Sequence, residues 1–542
     1  MGILQLDTFS FCYPEGKEDT LKNLSFQVEE GEFVLLTGLS GSGKTTLLRQ
    51  CKPILAAHGT RKGKILFRGQ PLQSLKQRES VTDIGFVQQD TENQVVTDKV
   101  WHELAFGLES LGMDTDTIRL RVGEIAGFFG MEHWFYKDIK ELSGGQLQMV
   151  NLASILAMQP KLLLLDEPTS QLDPIAAGEF FQAVKRVSDE LGITVILSEH
   201  RLGEVFSIAD RILHLENGEL TYDGTPRKFG ESLAVDKKDI LYSIPVPAQI
   251  YAGADLGGAC PLTVGEGARW LPELDTKIVF DDKWIESSPR ILLDHIFFKY
   301  EKNGPMILKD VNLKIYEGKV NCILGGNGAG KSTTLKVLSG MAEPLRGKVF
   351  DGKKRRKHKK ELREGIAVVP QNPKSLFVKK TVKEELLELG DGSKEALEKG
   401  KEYAKIFDLM HILNHHPYDI SGGEQQRLAL AKVLMTDPKV LMLDEPTKGM
   451  DGAFKKIFAG IIEALITQGI TLVIVSHDLE FCGNVADYCY LFFAGEVISE
   501  GPKRKFFSGN HFYTTEANKM CRKISPEIIT IEESLEAIHR SS

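Results

Sequence analysis

The sequence GLSGSGKTT runs from Gly38 to Thr46 and follows the short apolar run Phe33–Leu36. It fits the pattern GxxxxGK[ST], in which glycines let the backbone fold tightly and point its N–H groups at phosphate oxygens. The helix expected from about Thr45 places its positive end at the same point, and Lys44 can reach the outer phosphates of a nucleotide. The segment therefore predicts a phosphate-binding loop (P-loop) between a strand and a helix.

The same motif occurs a second time, as GGNGAGKST from Gly325 to Thr333, after the apolar run Val320–Leu324. Further motifs recur in the same order and at nearly the same spacing. They are ELSGGQ ending at Gln146 and ISGGE ending at Glu424, LLLLDEPTS around Asp166 and VLMLDEPTK around Asp444, and SEH ending at His200 and SH ending at His477. Such a repeat predicts two homologous domains, and the apolar runs before the motifs predict an α/β fold with a buried parallel sheet.

The acidic pair in each DEP motif points to chemistry at a phosphate. An aspartate that ends a buried strand can hold Mg²⁺, together with the hydroxyl residue after the P-loop lysine. The glutamate that follows can orient or deprotonate the attacking water, and a histidine after a second apolar strand can touch the γ-phosphate. Helix-capping acids and structural histidines are the alternatives, which the repetition disfavours. The predicted magnesium ligands are Thr45, Asp166, Ser332 and Asp444, and the predicted catalytic residues are Glu167, Glu445, His200 and His477.

The segments LSGGQ, Leu142 to Gln146, and ISGGE, Ile420 to Glu424, each precede a helical pattern. A serine and two glycines at a helix N-terminus form an anion site. Each half already has a P-loop, so a second anion site implies a second nucleotide contact. We therefore expect two composite sites, in which the P-loop of one half faces the signature segment of the other.

Length and composition disfavour several classes of protein. A chain of 542 residues is too long for one hydrophobic core, and its net charge of -8 argues against a nucleic-acid binder. The seven cysteines are scattered without a CxxC pair, which favours reduced thiols over metal ligation or disulfides. The N-terminus MGILQLDTFSF lacks signal-peptide features, and no apolar run reaches about 18 residues. If the protein acts at a membrane, partners are expected to supply the membrane part.

The motifs and the composition between them predict the domain organisation. The predicted domains cover 1–232 and 291–512, the Pro- and Gly-containing segment 233–290 is predicted to be a linker with one short helix, and 513–542 is predicted to be a C-terminal tail of weak helical periodicity.

With these motifs the chain resembles two nucleotide-binding domains of the ATP-binding cassette superfamily. For each half the resemblance implies a RecA-like parallel sheet core, an antiparallel β region and a helical signature subdomain, with ATP and Mg²⁺ as cofactors. It further implies adenine-stacking tyrosines, Tyr13 and Tyr300, and D-loop aspartates, Asp173 and Asp451. The glutamines that sense the γ-phosphate, Gln89 and Gln371, are implied to be both catalytic residues and Mg²⁺ ligands. The other implied ATP-binding residues are Gly38, Leu39, Ser40, Gly41, Ser42, Gly43, Lys44, Thr45, Thr46, Ser143, Gly144, Gly145 and Gln146 in the first half, and Gly325, Gly326, Asn327, Gly328, Ala329, Gly330, Lys331, Ser332, Thr333, Ser421, Gly422, Gly423 and Glu424 in the second.

Sequence segments outside these motifs resemble one branch of the superfamily. The segment GFVQQDTENQVVTDKVWHELAFGLE, Gly85 to Glu109, is similar to the ATPases of energy-coupling factor transporters, which import vitamins and transition-metal ions into prokaryotes. The segments CPLTVGEGARWL, TKGMD and FFSGNHFYTTEANKM resemble the fused form of those ATPases. This implies ATP hydrolysis coupled to import at the cytoplasmic face of a prokaryotic membrane. The implied partners are an integral membrane scaffold protein and a substrate-binding membrane protein.

Three alternatives remain open. Tandem sugar-importer ATPases usually have a degraded second P-loop, whereas GGNGAGKST is intact. Soluble tandem cassette proteins that act on ribosomes usually have a long, charged helical linker, and DNA-repair cassettes carry coiled coils or zinc insertions. The sequence departs from the family pattern at Ile420, where leucine is usual, and at Lys448, where serine is common. The second departure predicts asymmetric communication between the two sites.

Two surface features are left for the structure. The basic run KKRRKHKK, Lys353 to Lys360, is typical of a solvated loop, with anionic lipid headgroups and RNA as further possible contacts. The segments ENQVVTDKVW and NPKSLFVKKTV follow the two sensing glutamines. Their apolar residues, expected either to contact the membrane partner or to pack internally, include Val95, Val96, Leu376 and Phe377.

Overall fold

The computed structural model describes residues 2–14, 16, 18–89, 91, 93–200, 202–235, 239–272, 284, 287–355, 365–390 and 393–541. The chain divides into two compact units, Met1–Gly267 and Ala268–Ser542. Each unit contains one complete set of the repeated motifs, as the internal repeat predicts.

The first unit contains a four-stranded antiparallel sheet of order β2-β1-β4-β5 and a six-stranded sheet of order β10-β9-β3-β8-β7-β6. The larger sheet is parallel except at β10, which pairs antiparallel with β9. The strands are β1 Gly2–Cys12, β2 Leu21–Glu29, β3 Phe33–Thr37, β4 Thr60–Phe67, β5 Gln70–Pro71, β6 Ile84–Val87, β7 Leu162–Asp166, β8 Thr194–Ser198, β9 Arg211–Glu216 and β10 Glu219–Gly224.

Helices cover both faces of the larger sheet in the first unit. They are α1 Lys44–Gln50, α2 Gln77–Asp83, α3 Val100–Ser110, α4 Thr115–Phe128, α5 Gly144–Leu156, α6 Pro174–Leu191, α7 Pro226–Val235, α8 Val246–Ala254 and α9 Val264–Trp270. All five residues of β7 are buried, which is typical of a parallel strand covered on both faces. Alternate leucines of β7 belong to different cores. Leu162 and Leu164 pack with the antiparallel sheet and α1, whereas Leu163 and Leu165 pack with α3, α5 and α6.

The second unit repeats this architecture, with sheets of order β12-β11-β14-β15 and β16-β17-β18-β13-β19-β20. Its strands are β11 Pro289–Phe298, β12 Leu308–Tyr316, β13 Val320–Gly325, β14 Arg346–Asp351, β15 Lys354–Arg355, β16 Ile366–Val369, β17 Val440–Asp444, β18 Thr471–Ser476, β19 Tyr488–Phe493 and β20 Glu496–Pro502. Its helices are α10 Lys331–Leu338, α11 Val382–Leu387, α12 Lys394–Ile406, α13 Gly422–Leu434, α14 Gly452–Thr467, α15 Leu479–Val485, α16 Lys503–Gly509, α17 Glu516–Cys521 and α18 Ile531–Ser541. The predicted fold class is confirmed: each unit has a parallel core sheet, an antiparallel sheet and a helical signature region.

The structure differs from the predicted linker at 233–290. Helices α8 and α9 fold within this stretch, and the unit boundary lies inside α9. Ala248 and Cys260 are buried in the core of the first unit, and Arg227 of α7 forms an ion pair with Glu266 of α9 at 3.1 Å. The described part of this stretch up to α9 therefore extends the first unit, because its apolar residues complete that core. Residues 236–238, 273–283, 285 and 286 of the predicted linker lie outside the described residues.

The C-terminal segment 513–542 is likewise part of a folded unit over its described residues. Ile529 belongs to the core of the second unit, and Arg504 of α16 pairs with Glu533 of α18 at 2.7 Å. The predicted tail thus packs against the second unit through α17 and α18.

Two remaining predictions concern membranes and charge. Across the part of the chain that the structure describes, no helix combines the length and the apolar character needed to cross a bilayer. Of the basic run, Lys354–Arg355 form the exposed strand β15, and residues 356–360 lie outside the described residues.

Candidate nucleotide site

Each P-loop holds its lysine by backbone carbonyls. In the first unit the Nζ atom of Lys44 donates hydrogen bonds to the carbonyl oxygens of Gly38 and Leu39, at 2.8 and 3.1 Å. In the second unit Lys331 makes the same two bonds to Gly325 and Gly326, at 2.8 and 3.0 Å. Both lysines are buried at the start of α1 and α10. The loops therefore fix a cation beside a helix N-terminus, as the motif predicts.

The last glycine of each P-loop is required by backbone geometry. Gly43 and Gly330 have φ angles of 100° and 101°, in the left-handed region that favours glycine. A Cβ atom at Gly43 would lie 2.8 Å from Cδ2 of Leu21, and one at Gly330 would lie 2.8 Å from Cδ2 of Leu308. Each loop thus packs on the antiparallel sheet of its unit too closely for a side chain.

The residues predicted to bind magnesium are paired in both units. Thr45 donates a hydrogen bond to Oδ1 of Asp166 at 2.9 Å, and Ser332 donates to Oδ1 of Asp444 at 3.1 Å. Burial, reinforced by the charge of Glu167, raises the pKa of Asp166. Burial likewise raises the pKa of Asp444. A hydroxyl and a buried carboxylate side by side are the hard oxygen donors that Mg²⁺ prefers, so the donor set fits this ion.

Glu167 is the centre of a hydrogen-bonded group in the first unit. Its Oε1 lies 2.7 Å from Nε2 of His200, and its Oε2 accepts from Nε2 of Gln89 at 2.9 Å. Its φ of 45° is unusual for a residue other than glycine, and such strain is common at functional sites. Burial raises the pKa of Glu167, but the hydrogen bond and charge of His200 and the charge of Lys44 outweigh it and lower the pKa overall.

The equivalent group in the second unit has a different geometry. Oε2 of Glu445 lies 2.9 Å from Nδ1 of His477 and also accepts from the backbone N–H of His477 at 3.3 Å. Oε1 lies 3.8 Å from Nζ of Lys331. Glu445 again has a positive φ, 51°, and the charges and hydrogen bonds of these neighbours lower its pKa despite burial. The histidines of the two units therefore face their glutamates with different ring nitrogens.

The signature serines cap the helices that follow them. The Oγ atom of Ser143 accepts from the backbone N–H of Gln146 at 3.3 Å, and Ser421 accepts from Glu424 in the same way at 3.4 Å. A side chain is excluded at the second glycine of each motif: a Cβ atom at Gly145 would lie 2.9 Å from Cβ of Ala176. A Cβ atom at Gly423 would lie 2.8 Å from the backbone carbonyl oxygen of Gly449. The first glycine has open space, with nothing within 4 Å at Gly422.

The D-loop aspartates begin the next helices. Asp173 accepts from the backbone N–H of Ala176 at 2.8 Å at the start of α6, and Asp451 accepts from that of Phe454 at 2.8 Å at the start of α14. The described contacts of both carboxylates are thus helix caps.

The predicted adenine-stacking tyrosines lie next to the P-loop helices. The hydroxyl of Tyr13 lies 3.0 Å from Oγ1 of Thr46, and that of Tyr300 lies 3.1 Å from Oγ1 of Thr333. Both rings are exposed. Their position at the outer end of each P-loop is open to a planar base.

One polar residue of the first unit was missed by the sequence interpretation. Glu199 follows β8 and is only 3% exposed. Its Oε1 accepts from the backbone N–H and the Oγ1 of Thr169, at 3.0 and 2.6 Å, and its Oε2 accepts from the backbone N–H of His200 at 3.3 Å. The available signal was the difference between SEH and SH, since a charged residue directly after a fully buried strand needs partners.

Comparisons with known proteins place these sites in a family. The family model described as ABC transporter matches residues 21–170 and again 308–448. A Bacillus anthracis protein, provisionally named an ABC transporter ATP-binding protein, is 41% identical over 545 residues, covering 98% of each chain. A Bacillus subtilis protein, provisionally named the HMP/thiamine import ATP-binding protein YkoD, is 31% identical and covers 93% of this chain and 92% of its own.

A solved structure supports the fold over most of the length. Archaeal ribosome recycling factor aABCE1, solved in complex with ribosomal stalk protein aP1, matches 90% of this chain and 89% of its own at a TM-score of 0.56. Its sequence identity is 21%, so this likeness shows the fold alone. The two family matches cover both P-loops and both DEP motifs, whose side chains the structure brings together in each unit. The chain therefore belongs to the ABC transporter family, as a protein with two ATP-binding cassette domains in tandem.

Proposed function

We propose that this chain is the ATPase of a membrane importer of the energy-coupling factor type, with two hydrolytically competent sites. The observation that carries the proposal is that both units are complete. Each brings together a P-loop lysine, a hydroxyl–aspartate pair and a partly buried glutamate–histidine pair within hydrogen-bonding distance. A site that had lost hydrolysis would be expected to lack at least one of these groups.

The P-loop and the hydroxyl–aspartate pair bind the nucleotide. Lys44 and Lys331 begin α1 and α10 and donate to P-loop carbonyl oxygens, and each would exchange such a contact for a phosphate oxygen. Thr45 with Asp166, and Ser332 with Asp444, would hold Mg²⁺, with Gln89 and Gln371 beside it. When bound, the ion neutralises charge on the outer phosphates. Tyr13 and Tyr300 would stack on the adenine.

The glutamates would orient or deprotonate the attacking water. Because the pKa of Glu167 and of Glu445 is lowered, each side chain is a carboxylate near neutral pH and can accept a proton or a hydrogen bond from water. Gln89 donates to Glu167 and so fixes the direction in which the carboxylate points. His200 contacts the other carboxylate oxygen of Glu167, and His477 contacts Oε2 of Glu445. Each histidine would donate to a γ-phosphate oxygen of the nucleotide bound at its site.

The signature segments Ser143–Gln146 and Ser421–Glu424 would complete the two sites. An unhindered first glycine at a helix N-terminus lets a phosphate approach the backbone N–H groups. That each segment serves the nucleotide of the other half stays a prediction from the motifs. The asymmetric communication expected from Lys448 stays a prediction too.

Coupling to a membrane partner is supported by a groove in the first unit. A cavity of about 720 Å³ lies between α2, α3 and α5, with Arg78, Val96, Phe106, Ser154 and Met158 in its wall. Val96 is 64% exposed. An open cavity of this size with an apolar wall, close in sequence to Gln89, is suited to receive a short helix of a membrane protein.

Phe377 does not share this surface. It is 6% exposed and packs in the core of the second unit with Val382 and Leu386. The neighbouring Val378 is 68% exposed and is the residue of the second unit that corresponds to Val96. Of the apolar residues named from the sequence, Val96 therefore remains a docking candidate, whereas Phe377 packs internally.

Co-expression tests the proposal. The chain is produced with a multispanning scaffold protein and a substrate-binding membrane protein of an energy-coupling factor transporter, and the membranes are solubilised in detergent. We expect a stable complex whose ATP hydrolysis rises on assembly and which supports vitamin or metal-ion uptake in vesicles. ATP hydrolysis without membrane association, together with co-sedimentation with ribosomes, would instead favour the ribosome-acting alternative. Support of sugar uptake would favour the sugar-importer alternative.

A further inference from the structure

The two units differ in which carboxylate accepts the hydrogen bond from the backbone N–H of the histidine that contacts the catalytic glutamate. In the first unit, that N–H of His200 is donated to Glu199, and Glu167 is contacted by the ring atom Nε2 at 2.7 Å. In the second unit, the N–H of His477 is donated to Glu445 itself, and the ring contacts Glu445 through Nδ1 at 2.9 Å. The residue before the histidine also differs, being Glu199 in the first unit and Ser476 in the second.

Glu199 connects the two loops that carry the catalytic pair. Oε1 of Glu199 accepts two hydrogen bonds from Thr169, two residues after Glu167, and Oε2 accepts from His200. Thr169 and Glu199 are both nearly inaccessible to solvent. A buried carboxylate with three donors in fixed positions leaves little freedom to the chain on either side. The loops after β7 and β8 are therefore tied together behind the catalytic carboxylate.

The second unit has a serine at this position. Ser476 accepts from the backbone N–H of Asp478 at 3.0 Å, a contact within its own loop. A serine side chain is two carbon atoms shorter than that of glutamate, and it serves a turn instead of a cross-connection. The carboxylate of Glu445 then takes the histidine N–H.

We infer that Glu199 is a positioning residue of the first site, which holds His200 so that its Nε2 faces Glu167 and makes the two hydrolytic sites inequivalent. This inference rests on the proposed ATPase function and assigns Glu199 no contact with nucleotide. Glu199 acts through Thr169 and His200. Its removal should let Glu167 capture the N–H of His200 and turn the imidazole, as in the second unit.

The activity of each site can be measured by single-turnover hydrolysis in a chain whose other site is inactivated. In the full-length chain carrying E445Q, hydrolysis reports on the first unit, and in the chain carrying E167Q it reports on the second. We expect E199S to slow single-turnover hydrolysis about tenfold in the E445Q background, because a displaced catalytic group loses rate quickly with distance. In the E167Q background the same substitution should leave the rate unchanged. E199Q should be slowed less, since its carbonyl oxygen can still accept from Thr169.

Together with these rates, ATP affinity and a crystal structure distinguish positioning from general destabilisation. ATP affinity should change by less than about twofold, because the hydrogen bonds of Glu199 to Thr169 and His200 do not involve the P-loop. A crystal structure of the E199S chain should show the N–H of His200 donated to Glu167 and Nδ1 facing it. Equal slowing in both backgrounds, an unchanged rate in the E445Q background, or retention of the Nε2 contact in the crystal would each overturn the inference. Failure of the proposed function looks different, because the unsubstituted chain would then not hydrolyse ATP, and the crystal structure would still decide the role of Glu199.

Discussion

Nε2 of His200 lies 2.7 Å from Oε1 of Glu167, and this contact joins the loops after two adjacent parallel strands, β7 and β8. The pairing of the two strands puts the residues at neighbouring positions of one sheet edge, where the ends of parallel strands form a crevice. The same relationship holds between Glu445 and His477 after β17 and β18, with the other ring nitrogen. Both glutamate–histidine pairs are therefore set by the register of their sheets.

The first prediction concerns the catalytic carboxylates. Glu167→Gln and Glu445→Gln should each leave ATP binding intact and slow hydrolysis at the substituted site by roughly 10²-fold or more, because only the orientation and deprotonation of water are lost there. Equilibrium binding of ATP and steady-state release of phosphate measure the two effects. The claim of two competent sites would be wrong if one substitution abolished hydrolysis and the other left it unchanged.

A second prediction concerns magnesium. In the chain carrying E445Q, Thr45→Val removes the hydroxyl that lies 2.9 Å from Asp166, so the concentration of Mg²⁺ that supports half-maximal hydrolysis at the first site should rise about tenfold. Thr45→Ser keeps the hydroxyl and serves as the matched control. Chelation of Mg²⁺ should stop hydrolysis in both. An unchanged Mg²⁺ requirement in the valine variant would argue against Thr45 as a ligand.

A third prediction follows from the buried carboxyl of Glu199, whose pKa burial raises from 4.5 to about 7. Because the folded-state pKa is above the unfolded one, the stability associated with this group is fully present below pH 4.5. It is lost as the pH rises from there through 7. Glu199→Gln removes the titration. The free energy of unfolding of the variant, relative to that of the unsubstituted chain, should therefore be higher at pH 8 than at pH 5. Each pKa unit between the folded and unfolded states corresponds to about 1.4 kcal/mol.

Denaturant unfolding at the two pH values measures that effect. If the difference between the variant and the unsubstituted chain were the same at pH 5 and pH 8, the group would not titrate in this range. A glutamine variant that is more stable at pH 8 yet slower at the first site would separate positioning from stability.

The fourth prediction concerns the groove of the first unit. Val96→Glu should weaken assembly with the membrane scaffold while ATP binding is kept, because it places a charge on the apolar wall of the cavity. Val235→Glu, at another exposed valine that does not line the groove, is the matched control. Co-purification in detergent measures both. Loss of the complex with the control variant as well would point to a general effect of charge.

A fifth prediction concerns a buried ion pair of the second unit. Nζ of Lys432 lies 2.5 Å from Oε2 of Glu385, and both side chains are buried. Lys432→Met should cost about 3–5 kcal/mol in the free energy of unfolding, because it removes the cation that neutralises the buried carboxylate of Glu385 and also contacts Glu388. The double variant Lys432→Met with Glu385→Gln should recover most of the loss. Denaturant unfolding of the full chain measures this, and a loss in the double variant as large as in the single one would contradict it.

The sequence by itself determined the repeat, the element types around the motifs and the identities of the candidate site residues. The apolar run Leu162–Leu165 became β7 and the run Val320–Leu324 became β13, because a short buried strand is encoded by neighbouring residues. The P-loop lysines, Lys44 and Lys331, are likewise placed by adjacent glycines. Local chemistry needs only local sequence.

Only the tertiary structure decided which residues complete a core and which ring nitrogen faces a carboxylate. Cys260 and Ile529 lie in segments predicted to be linker and tail, yet both are buried in a folded unit, and Phe377 is structural instead of exposed. The role of Glu199 also depends on Thr169, a residue 30 positions away. Burial and hydrogen bonding of this kind are set by groups distant in the chain, and periodicity within a segment carries no information about them.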